Sequence, residues 1–196
     1  LPGGKIQVGG IVNEAFGNNV LKASVEVNLD NDSYSIDAES GKFNLTIKLV
    51  KNIKSGKHKI GISASDSKGN SGSSLVELEI TAVPSYIKTE LGRDMIMPGS
   101  KIDIIPSLYD QADDLMNTSL DLELTSPTGN KVFRKVVQSN DKIDYEFSQY
   151  SEPGIYVLVS TYKNLIDRHS INLTKVREIK VKYENESVLI ENIGNV

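Results

Sequence analysis

Two neighbouring stretches within residues 41–70 alternate strictly between residues of one burial type and polar residues, and they limit the fold more than any other part of the sequence. The first places an apolar residue at every second position from Phe43 to Leu49, and the second does so from Ile60 to Ala64, with His58 at the preceding position of the same face. A period of two predicts β-strands with one buried face. Polar turn residues separate the two stretches, and Asp66 begins a second turn that ends the second strand. The pair therefore predicts an antiparallel all-β domain.

The same alternation recurs along the chain, most clearly from Leu21 to Leu29 and from Leu120 to Leu124, and no helical period occurs. At 196 residues the chain is too long for one sandwich, which takes about 100 residues. Pro84 stiffens the backbone at the expected boundary. We therefore expect two tandem β-sandwiches, residues 1–83 and 84–178. Residues 179–196 are expected to form a strand pair leading to a further module, which implies truncation there.

Two groups of motifs carry a family resemblance. Gly-Lys-Phe-x-Leu-x-Ile-x-Leu from Gly41, with Gly-Lys-His-x-Ile-x-Ile-x-Ala-x-Asp from Gly56, resembles the immunoglobulin-like modules of bacterial and archaeal surface proteins. In the second half, Met97-Pro98-Gly99, Ser126-Pro127-x-Gly129 and Pro153-Gly154-x-Tyr156 are similar to motifs of macroglobulin-like or fibronectin-like repeats. The resemblance implies an all-β fold of two tandem immunoglobulin-like β-sandwiches in an extracellular protein. The thioester of some macroglobulins requires a cysteine, which this chain lacks.

Composition excludes several functions. The net charge of −4 provides no basic surface for nucleic acid. Without cysteine the chain has no disulfide framework and no thiolate metal site. No apolar run approaches the roughly 20 residues of a membrane span, and no signal peptide is visible. Because the sequence opens at Leu1, we expect a processed product or an excised segment.

Five sites fit the N-glycosylation sequon Asn-x-Ser/Thr. By alternation two of them face away from the apolar side of a strand, and three fall in expected turns or loops. All should therefore be reachable by a glycosyltransferase. The alternative is that Asn, Ser and Thr simply populate turns. The five residues are Asn31, Asn44, Asn117, Asn172 and Asn185.

Two acidic clusters are candidate calcium sites, Asp30 with Asp32 and Asp110 with Asp113 and Asp114. Calcium takes six to eight oxygen ligands, and neither cluster has the spacing of an EF-hand. Acidic loops that serve only solvation are the competing interpretation. No cofactor is expected other than calcium at these positions.

Catalysis has little support in the sequence. His58 is expected to face inward and His169 to lie in an exposed turn or at a strand edge, and no nucleophile motif accompanies either.

Carbohydrate binding is a stronger alternative to a structural role than catalysis is. Sugar-binding surfaces present exposed aromatic rings, and this chain has no Trp. Four tyrosines are candidates for the surface, namely Tyr34, Tyr109, Tyr150 and Tyr183.

These observations favour a non-enzymatic structural or adhesive module on the cell surface. It would act as a spacer or scaffold in a surface protein, surface layer or filament, and would be N-glycosylated. Its partners would be other surface domains or further copies, joined through strand edges. The alternative is an accessory module of a secreted enzyme, with carbohydrate as its ligand.

Overall fold

The computed structural model describes residues 1–14, 17–184 and 187–196 of the chain. All regular elements in these residues are β-strands, which confirms the predicted all-β class. No helix in the described part is long and apolar enough to cross a membrane. The chain divides into two compact units. The first unit is Leu1–Val83 with Gln111–Asp113, and the second unit is Pro84–Asp110 with Asp114–Val196.

The first unit contains six antiparallel strands in the order β1-β4-β3-β2-β5-β6. Between β3 and β4 the only paired residues are Glu39 and Lys42, at a tight turn. Ser40 and Gly41 both have positive φ in this turn, as a two-residue hairpin loop requires. The strands are β1 Lys5–Ile11, β2 Lys22–Leu29, β3 Asp32–Glu39, β4 Lys42–Lys48, β5 Gly56–Ser65 and β6 Ser71–Ile80.

The core of the first unit forms because β1 and β4 lie across β2, β3 and β5. Val8 and Ile47 from the first pair share one buried cluster with Val25, Val27 and Ile60 from the others. These residues come from the alternating positions that the sequence singles out. The fold is therefore a sandwich whose two layers meet at the turn between β3 and β4.

The second unit builds its sandwich from a five-stranded sheet, β11-β10-β13-β14-β8, and a three-stranded sheet, β12-β9-β7. The strands are β7 Pro84–Leu91, β8 Met95–Ile96, β9 Lys101–Asp110, β10 Ser119–Thr125, β11 Lys131–Gln138, β12 Ile143–Glu146, β13 Gly154–Tyr162 and β14 Leu165–Leu173. Both sheets contribute to one core, in which Ile102 and Ile104 of β9 join Leu122 and Leu124 of β10.

An aromatic row runs through that core. Phe133, Tyr145, Phe147 and Tyr156 follow one another with ring centroids 4.9 to 5.0 Å apart. Phe147 is fully buried. The hydroxyl of Tyr156 donates a hydrogen bond of 2.9 Å to the carbonyl of Glu152. A tyrosine that bonds back to the chain a few residues upstream fixes the corner before its strand, as in immunoglobulin-type sandwiches.

A separate two-stranded ribbon follows, made of β15 Ile179–Glu184 and β16 Ser187–Asn192. The sequence pattern locates both strands, but it errs elsewhere. β6 begins at Ser71, before the alternation at Leu75, because backbone pairing continues through Gly72 and Ser73. Of the two positions expected for His169, an exposed turn or a strand edge, the turn is wrong. His169 lies within β14, opposite Leu158, and the turn falls earlier, where Lys163 has a φ of 52°.

Candidate functional site

The sandwich of the first unit is open along one side. Among the described residues, β1 pairs with β4 alone and β6 pairs with β5 alone, so each strand has a free outer edge. The inner face of β6 is also uncovered, since Val76 points toward the core side and is 47% exposed. Ser71 to Glu77 are all exposed, although their strand is fully paired to β5. We call this gap between β1 and β6 the open edge; core-facing apolar side chains such as Val76 are exposed to solvent there.

The second unit shows what a complete version of the same topology contains. Its strands β9 to β14 correspond in chain order to β1 to β6, and they pair in the same way except that β11 and β12 lie in different sheets, whereas β3 and β4 are joined at Glu39 and Lys42. It has two further strands in addition. β7 pairs antiparallel with β9, and β8 pairs parallel with β14. The equivalents of β7 and β8 are missing from the described part of the first unit.

Those two extra strands close the core of the second unit. Ile87 and Thr89 of β7 and Ile96 of β8 are buried. The Thr89 hydroxyl lies 2.7 Å from that of Ser160, and the Thr89 amide donates a 2.7 Å hydrogen bond to Asp167. An extended segment with alternate inward residues thus occupies the position that stands open in the first unit.

A cavity of about 770 Å³ marks the open edge of the first unit. Its walls are Gly10 of β1, Phe43 of β4, and the facing parts of β5 and β6. Small residues line it, because Ala64 pairs with Gly72 and Ile62 pairs with Ser74. Apolar side chains from an added strand would fill this space and remove apolar surface from water.

The ribbon of β15 and β16 differs from the sandwiches because it has no buried side. Every described residue of β15 and β16 is exposed. By register one face carries apolar side chains and the other carries charged ones with Leu189. An isolated two-stranded ribbon is at best marginally stable in water, and its free edges invite pairing. The apolar face comprises Ile179, Val181, Tyr183, Val188 and Ile190, which are 46% to 81% exposed.

Asn195 clamps the base of the ribbon to the rest of the second unit. Its amide nitrogen donates to the carbonyls of Ser151 and Thr174, at 3.1 and 3.0 Å. Its amide oxygen accepts a 2.7 Å hydrogen bond from the backbone of Val176. Gly194 fits tightly beside this contact, because a Cβ there would collide with the backbone of Val176. The clamp fixes the base from which the ribbon projects.

The structure places the described sequons on the surface. Asn31 lies in the turn between β2 and β3, Asn44 on β4, and Asn117 in the loop before β10. Asn172 lies on β14, and all four side chains are exposed. Asn185 lies outside the described residues. The four described sites therefore lie at the surface, and their glycosylation stays a prediction.

Two of the acidic residues, Asp30 and Asp110, have hydrogen-bond partners within the protein. The Asp30 carboxylate contacts His58. Asp110 is buried, and its carboxylate accepts a 3.0 Å hydrogen bond from the Asp114 amide. In the described part of the chain no three His, Asp or Glu side chains converge as metal ligands would. Calcium at Asp30 and Asp32, or at Asp110, Asp113 and Asp114, therefore stays a prediction.

The two histidines are both bonded within the fold. His58 faces inward, as the alternation predicts, and both of its ring nitrogens have hydrogen-bond partners. The Nε2 atom of His169 lies 3.0 Å from the carboxylate of Asp167.

Among the tyrosines that the sequence places at the surface, Tyr150 and Tyr183 are exposed, whereas Tyr34 is half-buried. The exposed Tyr183 belongs to the apolar face of the ribbon.

The solved structures to which this chain is similar include the following two. The IgVJ-C2 molecule of amphioxus has a TM-score of 0.40 at 15% identity, and the match covers 88% of this chain and 97% of that one. The alpha-2-macroglobulin of E. coli has a TM-score of 0.42 at 15% identity, over 86% of this chain but 12% of that chain. No protein-family model and no curated protein matches the chain. The fold assignment rests on the strand pairing itself, which is that of an all-β protein with immunoglobulin-like sandwiches.

Proposed function

We propose that this chain is a non-enzymatic structural or adhesive module of the cell exterior, and that it joins neighbouring molecules through its free strand edges. It would serve as a spacer or scaffold in a surface protein, a surface layer or a filament. The proposal rests on the open edge between β1 and β6, where the described residues line a cavity of about 770 Å³ that includes the exposed, core-facing Val76. Exposed sheet edges of this kind pair readily with another chain.

The placement of the sequons supports an exterior location. Asn31, Asn44, Asn117 and Asn172 are exposed, and glycans there would shield faces that do not take part in assembly. Among these sites Asn44 lies on β4, the strand beside β1, and not on the free edge itself. Glycosylation at these positions is thus compatible with strand addition to β1.

Sedimentation velocity over a wide range of protein concentrations tests the proposal. The expected result is association that grows with concentration and yields particles larger than dimers, which negative-stain electron microscopy would show as filaments or layers. A protein that stays monomeric throughout, and that binds neither cells nor surface layers, would contradict it.

One observation favours carbohydrate binding as a second candidate. Tyr86 of β7 stacks on Tyr109 of β9, with centroids 5.1 Å apart and planes inclined by 14°, and Tyr86 is 41% exposed. A flat aromatic pair can serve as a platform for a sugar ring. Affinity electrophoresis in polysaccharide gels would show retardation that Tyr86→Ala abolishes. Equal mobility of both proteins in every polysaccharide would remove this candidate.

A further inference from the structure

We infer that the outer face of the five-stranded sheet in the second unit is a contact surface, and that its partner is the same face of a second copy of this chain. The outer face is formed on β10, β11, β13 and β14 by the side chains that point away from the core. The inference goes beyond the proposed function, which joins molecules through strand edges, because here two sheets pack face to face.

The centre of the outer face is apolar. On β13, Ile155, Val157 and Val159 point outward, because the residues between them are buried in the core. Ile155 is 58% exposed, and on the neighbouring strands Val136 of β11 and Ile166 of β14 are 71% and 56% exposed. Apolar surface that is grouped on one face, rather than scattered as single side chains, is typical of an interaction site.

One row across the sheet carries opposite charges on the two sides of this centre. The register places Glu123 of β10 and Arg168 of β14 directly beside Val159, one on each side. The Glu123 carboxylate lies 2.9 Å from the ammonium group of Lys131. Arg168 is exposed, and its side chain makes no ion pair with any residue in the described part of the chain. Its guanidinium group, which can bind a carboxylate through two parallel hydrogen bonds, is thus available to a partner.

A two-fold axis along β13 makes the outer face complementary to itself. Rotation about this axis sets β10 of one copy over β14 of the other, with residues of the same row facing each other. Val159 then meets the partner's Val159, and Glu123 meets the partner's Arg168. The same pair recurs on the other side of the axis, as an isologous interface requires.

The dimensions of the outer face fit a weak dimer. Sheets that pack face to face lie about 10 Å apart, a gap that a Glu and an Arg side chain span together. Four strands about 4.8 Å apart, with seven residues of about 3.4 Å each, give a face of roughly 20 by 24 Å. A standard interface buries about 800 Å² per partner, so we expect weak and reversible association.

The predicted sequon Asn172 lies at the end of this face. It pairs with Ile155, near the start of β13. The β10 strand ends one pair earlier, at Thr125, which lies level with Val157. Because the axis sets β10 over β14, the partner's β10 ends before it reaches Asn172. A glycan there would border the contact, and the test therefore uses protein produced without glycosylation.

Two charge reversals and their mixture test the pairing. Arg168→Glu creates two like-charged pairs in the dimer, and Glu123→Arg does the same. In a mixed dimer of the two variants both pairs are again of opposite charge, because one copy supplies two carboxylates and the other supplies two guanidinium groups. The matched control is Arg177→Glu, since Arg177 is exposed outside this face and makes no ion pair within the described residues. Circular dichroism verifies the folds.

Sedimentation velocity from micromolar to millimolar concentrations measures the association. The parent protein and Arg177→Glu should dimerise alike, and each face variant alone should dimerise at least about tenfold more weakly, because like charges face each other. The equimolar mixture of the face variants should regain most of the parent's affinity. A parent that forms no dimer, face variants that match the control, or a mixture no stronger than its components would each overturn the inference.

The same runs separate this contact from the proposed function. Edge pairing builds particles larger than dimers and does not require Arg168. Association that is equal in the parent and in Arg168→Glu refutes the face contact and leaves the proposed function standing. A dimer that is lost in Arg168→Glu, restored in the mixture and never grows larger supports the face contact and contradicts assembly through edges.

Discussion

The imidazole of His58 and the carboxylate of Asp30 lie 2.6 Å apart, between Nδ1 and Oδ2. The other ring nitrogen, Nε2, is 2.9 Å from the carbonyl of Lys54. Both partners are acceptors, so the ring satisfies both when each nitrogen carries a proton. These contacts therefore favour the imidazolium form of His58, and Asp30, one of the candidate calcium ligands, is already engaged.

This pair predicts a stability that falls as pH rises. Burial lowers the pKa of His58, but the hydrogen bonds to Asp30 and Lys54 and the charge of Asp30 outweigh it and raise the pKa above 6.5. The contribution is fully present below the unfolded value and is lost as pH rises through the folded one. Because the Asp30 side chain is 48% exposed, we expect about 1 kcal/mol.

The measurement is urea denaturation of the protein and of Asp30→Asn at a series of pH values. Asn tolerates the φ of 52° at this position, so the variant keeps the turn and loses the charge. The difference in free energy of unfolding should be largest at pH 5.5 to 6 and shrink toward pH 8.5, a window around the ordinary His value of about 6.5. A difference that does not change with pH would contradict the assignment.

The hydrogen bond of Tyr156 at the corner before β13 predicts that removal of its hydroxyl alone lowers the stability of the protein. Tyr156→Phe keeps the buried ring and removes the hydrogen bond to the Glu152 carbonyl. We expect a destabilisation of about 1 kcal/mol, because that carbonyl loses its donor. Tyr150→Phe is the control, since Tyr150 is 64% exposed. Chemical denaturation should separate the two variants, and identical midpoints would show that the bond does not stabilise the corner.

Gly194 provides a test of the clamp at the base of the ribbon. Gly194→Ala forces a Cβ against the backbone of Val176 and within 2.9 Å of the Glu178 nitrogen. We expect a local cost of about 1–3 kcal/mol and faster amide exchange in β15 and β16. The control is Gly72→Ala, where a Cβ meets no atom within 4 Å. Ribbon amides that exchange at the same rate in both variants would mean that the clamp does not hold the ribbon.

Mass spectrometry of protein from its native source tests the predicted modification. Hexose-bearing peptides are expected at the exposed Asn31, Asn44, Asn117 and Asn172. The same peptide map covers Asn185, the fifth predicted site. Unmodified asparagine at all five would remove the main support for an exterior location, while the fold would stand.

Alternation predicted the strands because burial of one sheet face imposes a period of two, and β2 follows the pattern from Lys22 to Leu29. It failed where backbone pairing needs no apolar side chain. The first residues of β6, around Gly72, carry no such signal, and β8 has only two residues.

The open edge could not be predicted in this way. A strand pattern shows which face is buried but not how many strands lie beside it. The gap is visible only when the sheet order of the two units is compared. The apolar face of the ribbon was readable from Ile179, Val181 and Tyr183. The exposure of that face could not be predicted, because the same alternation is typical of a strand with one buried face.

Hydrogen exchange at low and high protein concentration tests strand addition most directly, because added strands protect the backbone amides of the edges that they pair with. The amides of β1 and β6 that point away from their partner strands β4 and β5 should exchange rapidly in dilute protein and become protected as concentration rises. The edge strand β11 should exchange equally in both samples and serves as the internal reference. Exchange in β1 and β6 that is the same at every concentration, in a sample shown by sedimentation to associate, would contradict the central claim.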